Sequence, residues 1–455
     1  MNTLMNAWNQ EGRTDNGMKT NLTSENPNLD FFFLAGASRG KDITPVFVSA
    51  AGYNTDRAIR TMLWMRDVRG GAGERQQFRN LLKFLAQHES NKEVVSRIIQ
   101  KVPEIGRWDD LLCLQDTFAE EQAISSFGVA LRQGDSLAAK WLPRKGTFAN
   151  KLRKHMKMTP KQYRKTLVEL TKVVETQMCN KDWGKIEYGH VPSVAAARYQ
   201  RAFAKHDPIR YEQYRENVSK GKDKVNASAV FPHDVVKACR SGGHLADEQW
   251  KALPDYMEGS DGRILPVCDV SGSMTGLPMD VSVALGLYIS ERNNSVFKDV
   301  VCFFSEQPNL VKLQAEGLHN RIKELENIPW GMNTNLNAVF SRILDAAKSH
   351  NVAPNEMPTK VLIISDMEFD RCVNFDQSAF SMIQSEYSAS GYELPKVVFW
   401  NVNGRVGNIP VRESDKGVAL VSGFSPSILK SILGAGEFTP ESIMLETIMN
   451  SRYDW

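Results

Sequence analysis

The chain has 455 residues, and several features it lacks narrow its function. No apolar run reaches the ~18 residues that a membrane-crossing helix needs. The opening stretch MNTLMNAWNQEGRTDNGMKTNLTSENPN has no basic segment followed by an apolar one, so no secretory signal is expected. Cysteines are few, at 113, 179, 239, 268, 302 and 372, and none form a C-x-x-C pair. That spacing argues against a zinc site, and so low a density argues against a secreted disulfide scaffold. Free thiols in a reducing cytoplasm are the expectation. The eight histidines include no H-x-x-x-H pair, and G-x-S-x-G does not occur. Gly423-Phe424-Ser425-Pro426-Ser427 approaches that hydrolase motif but lacks its final glycine. RGGAG (69–73) lacks the Lys-Ser/Thr of a phosphate-binding loop. An enzyme is therefore the least favoured class, and no catalytic residue is assigned.

What is present is a chain of two characters. Hydrophobic content of 42% and charged content of 24% suit a globular protein, and the length favours two domains. The net charge of +3 conceals an asymmetry. From Ile264 onward there are 15 Lys and Arg against 22 Asp and Glu, a balance of −7; before it there are 41 against 31, a balance of +10. The basic part is the candidate for binding a polyanion.

Residues 1–28, rich in Asn, Thr, Ser and Gly, read as a flexible leader. Residues 29–258 carry helical periodicity. AIRTMLWMRDV (58–68), ERQQFRNLLKFLAQHE (74–89), KEVVSRIIQKV (92–102), WDDLLCLQDTFAEEQAISSFGVALR (108–132), PKQYRKTLVELTKVVETQ (160–177) and VAAARYQRAFAKH (194–206) space apolar residues three and four apart. Short turns between them suggest an all-α domain of stacked hairpins similar to HEAT repeats. Residues 259–455 alternate strand and helix. ILPVCDV (264–270), DVVCFF (299–304), KVLIISD (360–366), KVVFWNV (396–402) and GVALVSG (417–423) predict a doubly wound parallel sheet. The overall class is thus α plus α/β.

CDVSGSMTG (268–276) follows the first of these strands. In an extended loop, Asp269, Ser271 and Ser273 lie two apart and point to one side. A carboxylate and two hydroxyls are hard oxygen donors, suited to Mg²⁺ or Mn²⁺. Thr334, in the polar loop WGMNTNL (330–336), and Asp366, ending the strand KVLIISD, can complete the set at the carboxyl edge of the sheet. In that order the five residues resemble the metal-ion-dependent adhesion site of von Willebrand factor A domains. The resemblance implies a divalent ion that captures an acidic group of a protein partner. The run Asp366-Met367-Glu368-Phe369-Asp370 is unusually acidic, which would repel such a group or attract a second cation.

Upstream, KWLPRKGTFANKLRKHMKMTPKQYRK (140–165) holds ten Lys and Arg and no acid. Lys140, Arg144, Lys145, Lys151, Arg153, Lys154, Lys157, Lys161, Arg164 and Lys165 are candidate phosphate contacts, joined by Arg198 and Arg201 further on. Trp141, Phe148 and Tyr163 lie among them as candidate platforms for unpaired bases. LWMRDVRGGAGER (63–75), KWLPRKG (140–146), RYQRAFAKHDP (198–208), LPVCDVSGSM (265–274) and SDMEFD (365–370) together resemble a domain-of-unknown-function branch of the TROVE proteins, the family of the Ro RNA-binding autoantigen. The resemblance spans roughly residues 30–450. It implies a ring of helical repeats closed by the A domain, binding small structured or misfolded RNA on its basic surface. Single-stranded ends would thread the hole. A non-catalytic ribonucleoprotein is the leading expectation; a protein-interaction module with the helical half as scaffold is the alternative. Whether the ring is one chain or a homo-oligomer is left open by the sequence.

Overall fold

A computed structural model describes residues 11–455 except 228, 244, 261, 305–307, 329–333 and 371–378. The helical half forms where apolar spacing and caps agree. Helix Gln76–Leu85 buries Phe78, Leu81, Leu82 and Leu85 on one stripe, and Glu74 Oε1 accepts from the backbone N–H of Gln76 at 2.8 Å and Gln77 at 3.1 Å. Helix Pro160–Leu170 opens on a capping box in which Thr159 and Gln162 exchange side-chain and backbone bonds. Two stretches expected as single helices are each broken. Residues 108–132 split into a 3₁₀ turn, Trp108–Leu114, and helix Glu120–Arg132, with Asp116 between them at φ 62°. Residues 160–177 split into Pro160–Leu170 and Val174–Cys179.

RGGAG is a helix-to-helix turn. Trp64 O accepts from Ala72 N at 3.2 Å, and a Cβ on Gly71 would sit 1.9 Å from that same oxygen. Asp67 just before the turn is buried and receives Arg452 (Nη2, 2.9 Å) and Tyr453 (OH, 3.2 Å) from the end of the chain.

The sheet is six-stranded, in the order β5-β4-β3-β6-β7-β8. Its strands are β3 (Ile264–Cys268), β4 (Val300–Phe303), β5 (Leu310–Lys312), β6 (Lys360–Ser365), β7 (Lys396–Asn401) and β8 (Val418–Ser422). Five are mutually parallel, whereas β5 runs antiparallel to β4 at the edge, so the sheet is mixed rather than wholly parallel. The five parallel strands are buried almost throughout, which explains their continuous apolar runs; β5 exposes Leu310 and Lys312 and carries no such signal. The chain passes from β3 to β4 on one side and then to β6 on the other. The order therefore reverses between β3 and β6, the place where doubly wound sheets hold ligands.

The leader is not free-standing. From residue 11 it forms a hairpin, β1 (Glu11–Arg13) with β2 (Lys19–Asn21), and Asn21 bridges to Ile409 of the sheet domain; residues 1–10 lie outside the described part. Next, helix Pro27–Ala35 buries Phe31, Phe32 and Phe33 and lies against the far edge of the sheet. Ser422 Oγ donates to Phe32 O at 2.7 Å, and a Cβ on Gly36 would meet Ser422 O at 2.6 Å, so this close approach requires glycine. A boundary at residue 28 thus cuts through an element of the sheet domain. At the other end of the helical half, helices Pro232–Arg240 and Ala246–Lys251 pack on Leu277–Glu291 and Leu318–Glu326. Arg240 donates to Asp280 and Glu326, and Trp250 Nε1 to Glu291. The helical half begins and ends on the sheet domain.

Candidate metal centre and nucleic-acid face

The register of β3 on β6 pairs Cys268 with Ile364, so Asp269 leaves the sheet opposite Ser365, one residue before Asp366 on the neighbouring strand. Both are fully buried, as are Thr334 and nearly Ser271, while Ser273 is exposed at the mouth. Asp269 Oδ1 accepts from Ser271 N at 2.9 Å, and Asp269 Oδ2 accepts from Ser365 Oγ at 2.6 Å. Ser271 Oγ and Ser273 Oγ are 3.2 Å apart, so the hydroxyls converge as the two-residue spacing anticipates. Burial pushes the Asp269 carboxyl up to about 6, against the lowering effect of its bonds from Ser365 and Ser271. Thr334 Oγ1 donates to Glu368 O at 2.8 Å, which anchors its loop two residues beyond Asp366. Residues 330–333 of that loop lie outside the described part. The structure therefore gathers all five sequence-predicted residues at one edge.

The donor chemistry fits a hard divalent ion. Asp366 Oδ2 is buried with no hydrogen-bond partner, an arrangement that costs free energy unless a cation or proton faces it. Among the described residues no cluster of three His, Cys, Asp or Glu side chains could hold a metal. Two carboxylates alone are too few, so an ion here depends on the hydroxyls.

Sequence reasoning missed what surrounds the five. Arg405 places Nη2 3.6 Å from Asp366 Oδ2 and Nη1 2.9 Å from Glu368 Oε1 and 2.7 Å from Asp15 Oδ2. Asn408 also donates to Glu368, and Asp15 N does so at 2.7 Å. The acidity of 366–370 is thus partly neutralised from within, which answers the expectation of a second cation for Glu368. Asn16 Nδ2 reaches Glu368 O at 2.8 Å and Thr334 Oγ1 at 3.4 Å, so the tip of the N-terminal hairpin touches the donor set. Nothing local in the sequence links residues 15, 16 and 405 to this loop; only the tertiary fold does.

The basic run divides. Lys140 pairs with Glu175 (3.1 Å), Lys151 with Glu120 (2.8 Å) and Lys165 with Glu169 (3.6 Å), while Arg153 donates to Met158 O at 2.9 Å. Arg144, Lys145, Lys154, Lys157, Lys161 and Arg164 are exposed, and none makes an ion pair with a described residue. Arg198 and Arg201 are exposed on helix Ser193–His206, with Arg201 donating to Ser241 O at 3.3 Å. Two expected base platforms are not available. Phe148 packs edge-on against Phe127, and Tyr163 is buried with its hydroxyl on Pro143 O; helical spacing put both on the apolar stripe. Trp141 remains half-buried, with the Arg107 guanidinium 3.9 Å from its ring centre.

Five described cysteines are free, and Cys372 lies outside the described residues. No helix among the described residues is long and apolar enough to cross a membrane.

An all-α half joined to a mixed α/β half is the class the fold defines. Residues 135–261 match the family described as domain of unknown function DUF2828, and residues 263–452 match that described as domain of unknown function DUF7788. The chain is 29% identical to an uncharacterized protein, L728, of Acanthamoeba polyphaga mimivirus, over 96% of this chain and 86% of that one. A crystal structure of the Deinococcus radiodurans Ro (RSR) protein aligns over 94% of this chain and 100% of its own, at a TM-score of 0.47 and 14% identity.

Proposed function

We propose that the protein is a non-catalytic RNA-binding protein whose helical half takes small structured or misfolded RNA on a basic face. The observation that carries this reading is the set of six exposed, unpaired cations, Arg144, Lys145, Lys154, Lys157, Lys161 and Arg164, within an acid-free run. Unpaired Lys and Arg side chains release counterions from phosphates, whereas cations already bound to carboxylates gain less. The sheet domain holds Mg²⁺ or Mn²⁺ through Asp269, Ser271, Ser273, Thr334 and Asp366. When bound, the ion supplies a Lewis-acid position for a partner carboxylate. Asp366 Oδ2, buried without a hydrogen bond although Arg405 lies 3.6 Å away, and the exposed Ser273 support that second role. The two roles fall on different halves and are separable.

The test is recovery of the tagged protein from lysate with and without nuclease, followed by sequencing of the bound RNA. Copurifying small RNA that is lost on charge reversal at Lys145, Lys154, Lys157 and Lys161 is expected. A protein free of RNA that recovers the same partners after nuclease treatment would reduce the helical half to scaffold. Asp269→Ala should release only partners held through the ion.

A further inference from the structure

The phrase LWMRDVRGGAGER and the helix after it carry cations that the basic run does not include. Arg75 and Lys83 are exposed and make no ion pair with a described residue. They flank Arg79: Arg75 is the N-cap of helix Gln76–Leu85, and Lys83 lies on it. Arg79 Nη2 lies 2.8 Å from Asp109 Oδ2, and Arg107 Nη2 lies 2.6 Å from that same oxygen. Arg107 in turn stacks on Trp141, beside Lys140. Contacts therefore run without a break from helix Gln76–Leu85, across the turn Trp108–Leu114 and helix Ser136–Trp141, to the run that contains Arg144 and Lys145. Segments some 60 residues apart in sequence are thus joined through one chain of contacts.

The two carboxylates here are already committed. Asp110 is fully buried between Arg66 (2.7 Å) and Arg79 (2.7 Å), and Asp109 lies between Arg79 and Arg107. They act as struts that hold guanidiniums in place and leave a net positive surface. Partial burial, with Arg107 and Arg79 close by, holds the Arg75 guanidinium below its ordinary value, the mark of cations crowded together. Beside them a concave surface is lined by Gln76, Arg79, Asn80, Lys83 and Asp109, offering amide donors as well as charge.

We propose that this face is a single-stranded RNA site continuous with the 144–164 face, in which a nucleobase stacks at the Arg107–Trp141 pair and the unpaired Arg75 and Lys83 take the flanking phosphates. The argument for a nucleotide over an acidic peptide is the Arg107 guanidinium centred 3.9 Å over the half-buried Trp141 ring, which puts a cation and an aromatic surface at one point. The inference rests on the RNA-binding reading above and specifies where the strand leaves the basic run.

The test is fluorescence anisotropy of a labelled single-stranded RNA of about twelve nucleotides with the full chain at 100 mM salt. Arg75→Glu with Lys83→Glu should weaken binding about tenfold, as two lost phosphate contacts and added repulsion do. Trp141→Ala should weaken it about tenfold through lost stacking, and ultraviolet cross-linking should place a nucleotide on the peptide bearing Trp141. The double variant guards against misfolding, since both side chains are largely exposed and neither makes an ion pair with a described residue. If neither variant changes the affinity while neutralising Arg144, Lys145, Lys154 and Lys157 abolishes it, the RNA-binding reading stands and this site is refuted. If the wild-type chain binds no RNA, both fall. If the double variant loses an acidic peptide but no RNA, the face belongs to a protein.

Discussion

Neutralising Arg144, Lys145, Lys154 and Lys157 to glutamine tests whether the face works by counterion release. Six cations of the run are unpaired, so a single strand crossing all of them gives a slope of log affinity against log salt of about −4, at about −0.7 per phosphate. Between 50 and 200 mM salt the wild-type chain then loses about 300-fold in affinity. The quadruple variant keeps two such contacts, and its slope falls to about −1.4, a loss of about sevenfold over the same range. RNA contacts elsewhere add equally to both slopes and leave a difference of about 3. The assay is anisotropy of labelled RNA at five salt concentrations, with circular dichroism to confirm that the variant is folded. All four side chains are exposed, so the fold should survive. Equal slopes in wild type and variant would refute the reasoning, even if the affinity at one salt concentration differed.

Saturating Mg²⁺ should raise the melting temperature of the wild-type chain, with about 2.7 kcal/mol of stabilisation at a hundred times the dissociation constant; Asp269→Ala should erase the effect, and equal stabilisation of the variant would place the ion elsewhere. Arg405→Gln removes a cation 3.6 Å from Asp366 Oδ2 and should tighten Mg²⁺ binding about tenfold by calorimetry; weaker binding would mean that Arg405 instead organises the loop. Asp67→Ala leaves the Arg452 guanidinium without its buried partner and should cost about 3 kcal/mol in urea unfolding. Burial pushes the His233 imidazole down to about 4, and its Nδ1 has no hydrogen-bond partner. The unfolded state therefore takes up the proton first as pH falls. His233 alone should subtract about 2 kcal/mol between pH 7 and pH 5, against an opposite contribution from the raised Asp269 carboxyl, and the difference between wild type and His233→Gln over that range measures it; no difference would refute the assignment.

The sequence was most legible where one local rule decided the outcome. The five parallel strands announced themselves because burial on both faces demands unbroken apolar residues. Asp269, Ser271 and Ser273 were legible because spacing in a loop fixes direction, and strand order then brought Asp366 beside them. Strand β5 was invisible because it is three residues long and half exposed. The leader was misread for a related reason. Its polar composition describes a hairpin whose partners, Ile409 and the loop after β6, lie more than 340 residues away. Charge counting found the basic face but could not sort it, since Glu120 and Glu175 lie outside the acid-free window and neutralise Lys151 and Lys140 only in three dimensions. Arg405 was missed on the same grounds.

Such long-range contacts tie the two proposed functions to one mechanical frame. The hairpin tip supplies Asp15 and Asn16 to the loop that carries Asp366 and Glu368, and the same segment runs on into helix Pro27–Ala35, which packs on helix Thr55–Arg66. At the other end, Arg240 holds Asp280 on the helix that begins at Leu277, immediately after the Asp269 loop. Both ends of the helical half are thus anchored within a few residues of the segments that carry the candidate donors Asp269 and Asp366. By reciprocity, any free energy by which Mg²⁺ alters RNA affinity must equal that by which RNA alters Mg²⁺ affinity. Measuring the RNA dissociation constant with and without Mg²⁺ in Asn16→Ala, whose loss cuts the hairpin's contacts to Thr334 and Glu368, asks whether the hairpin carries that coupling. A coupling equal to that of the wild type would leave the closed circuit a structural frame alone.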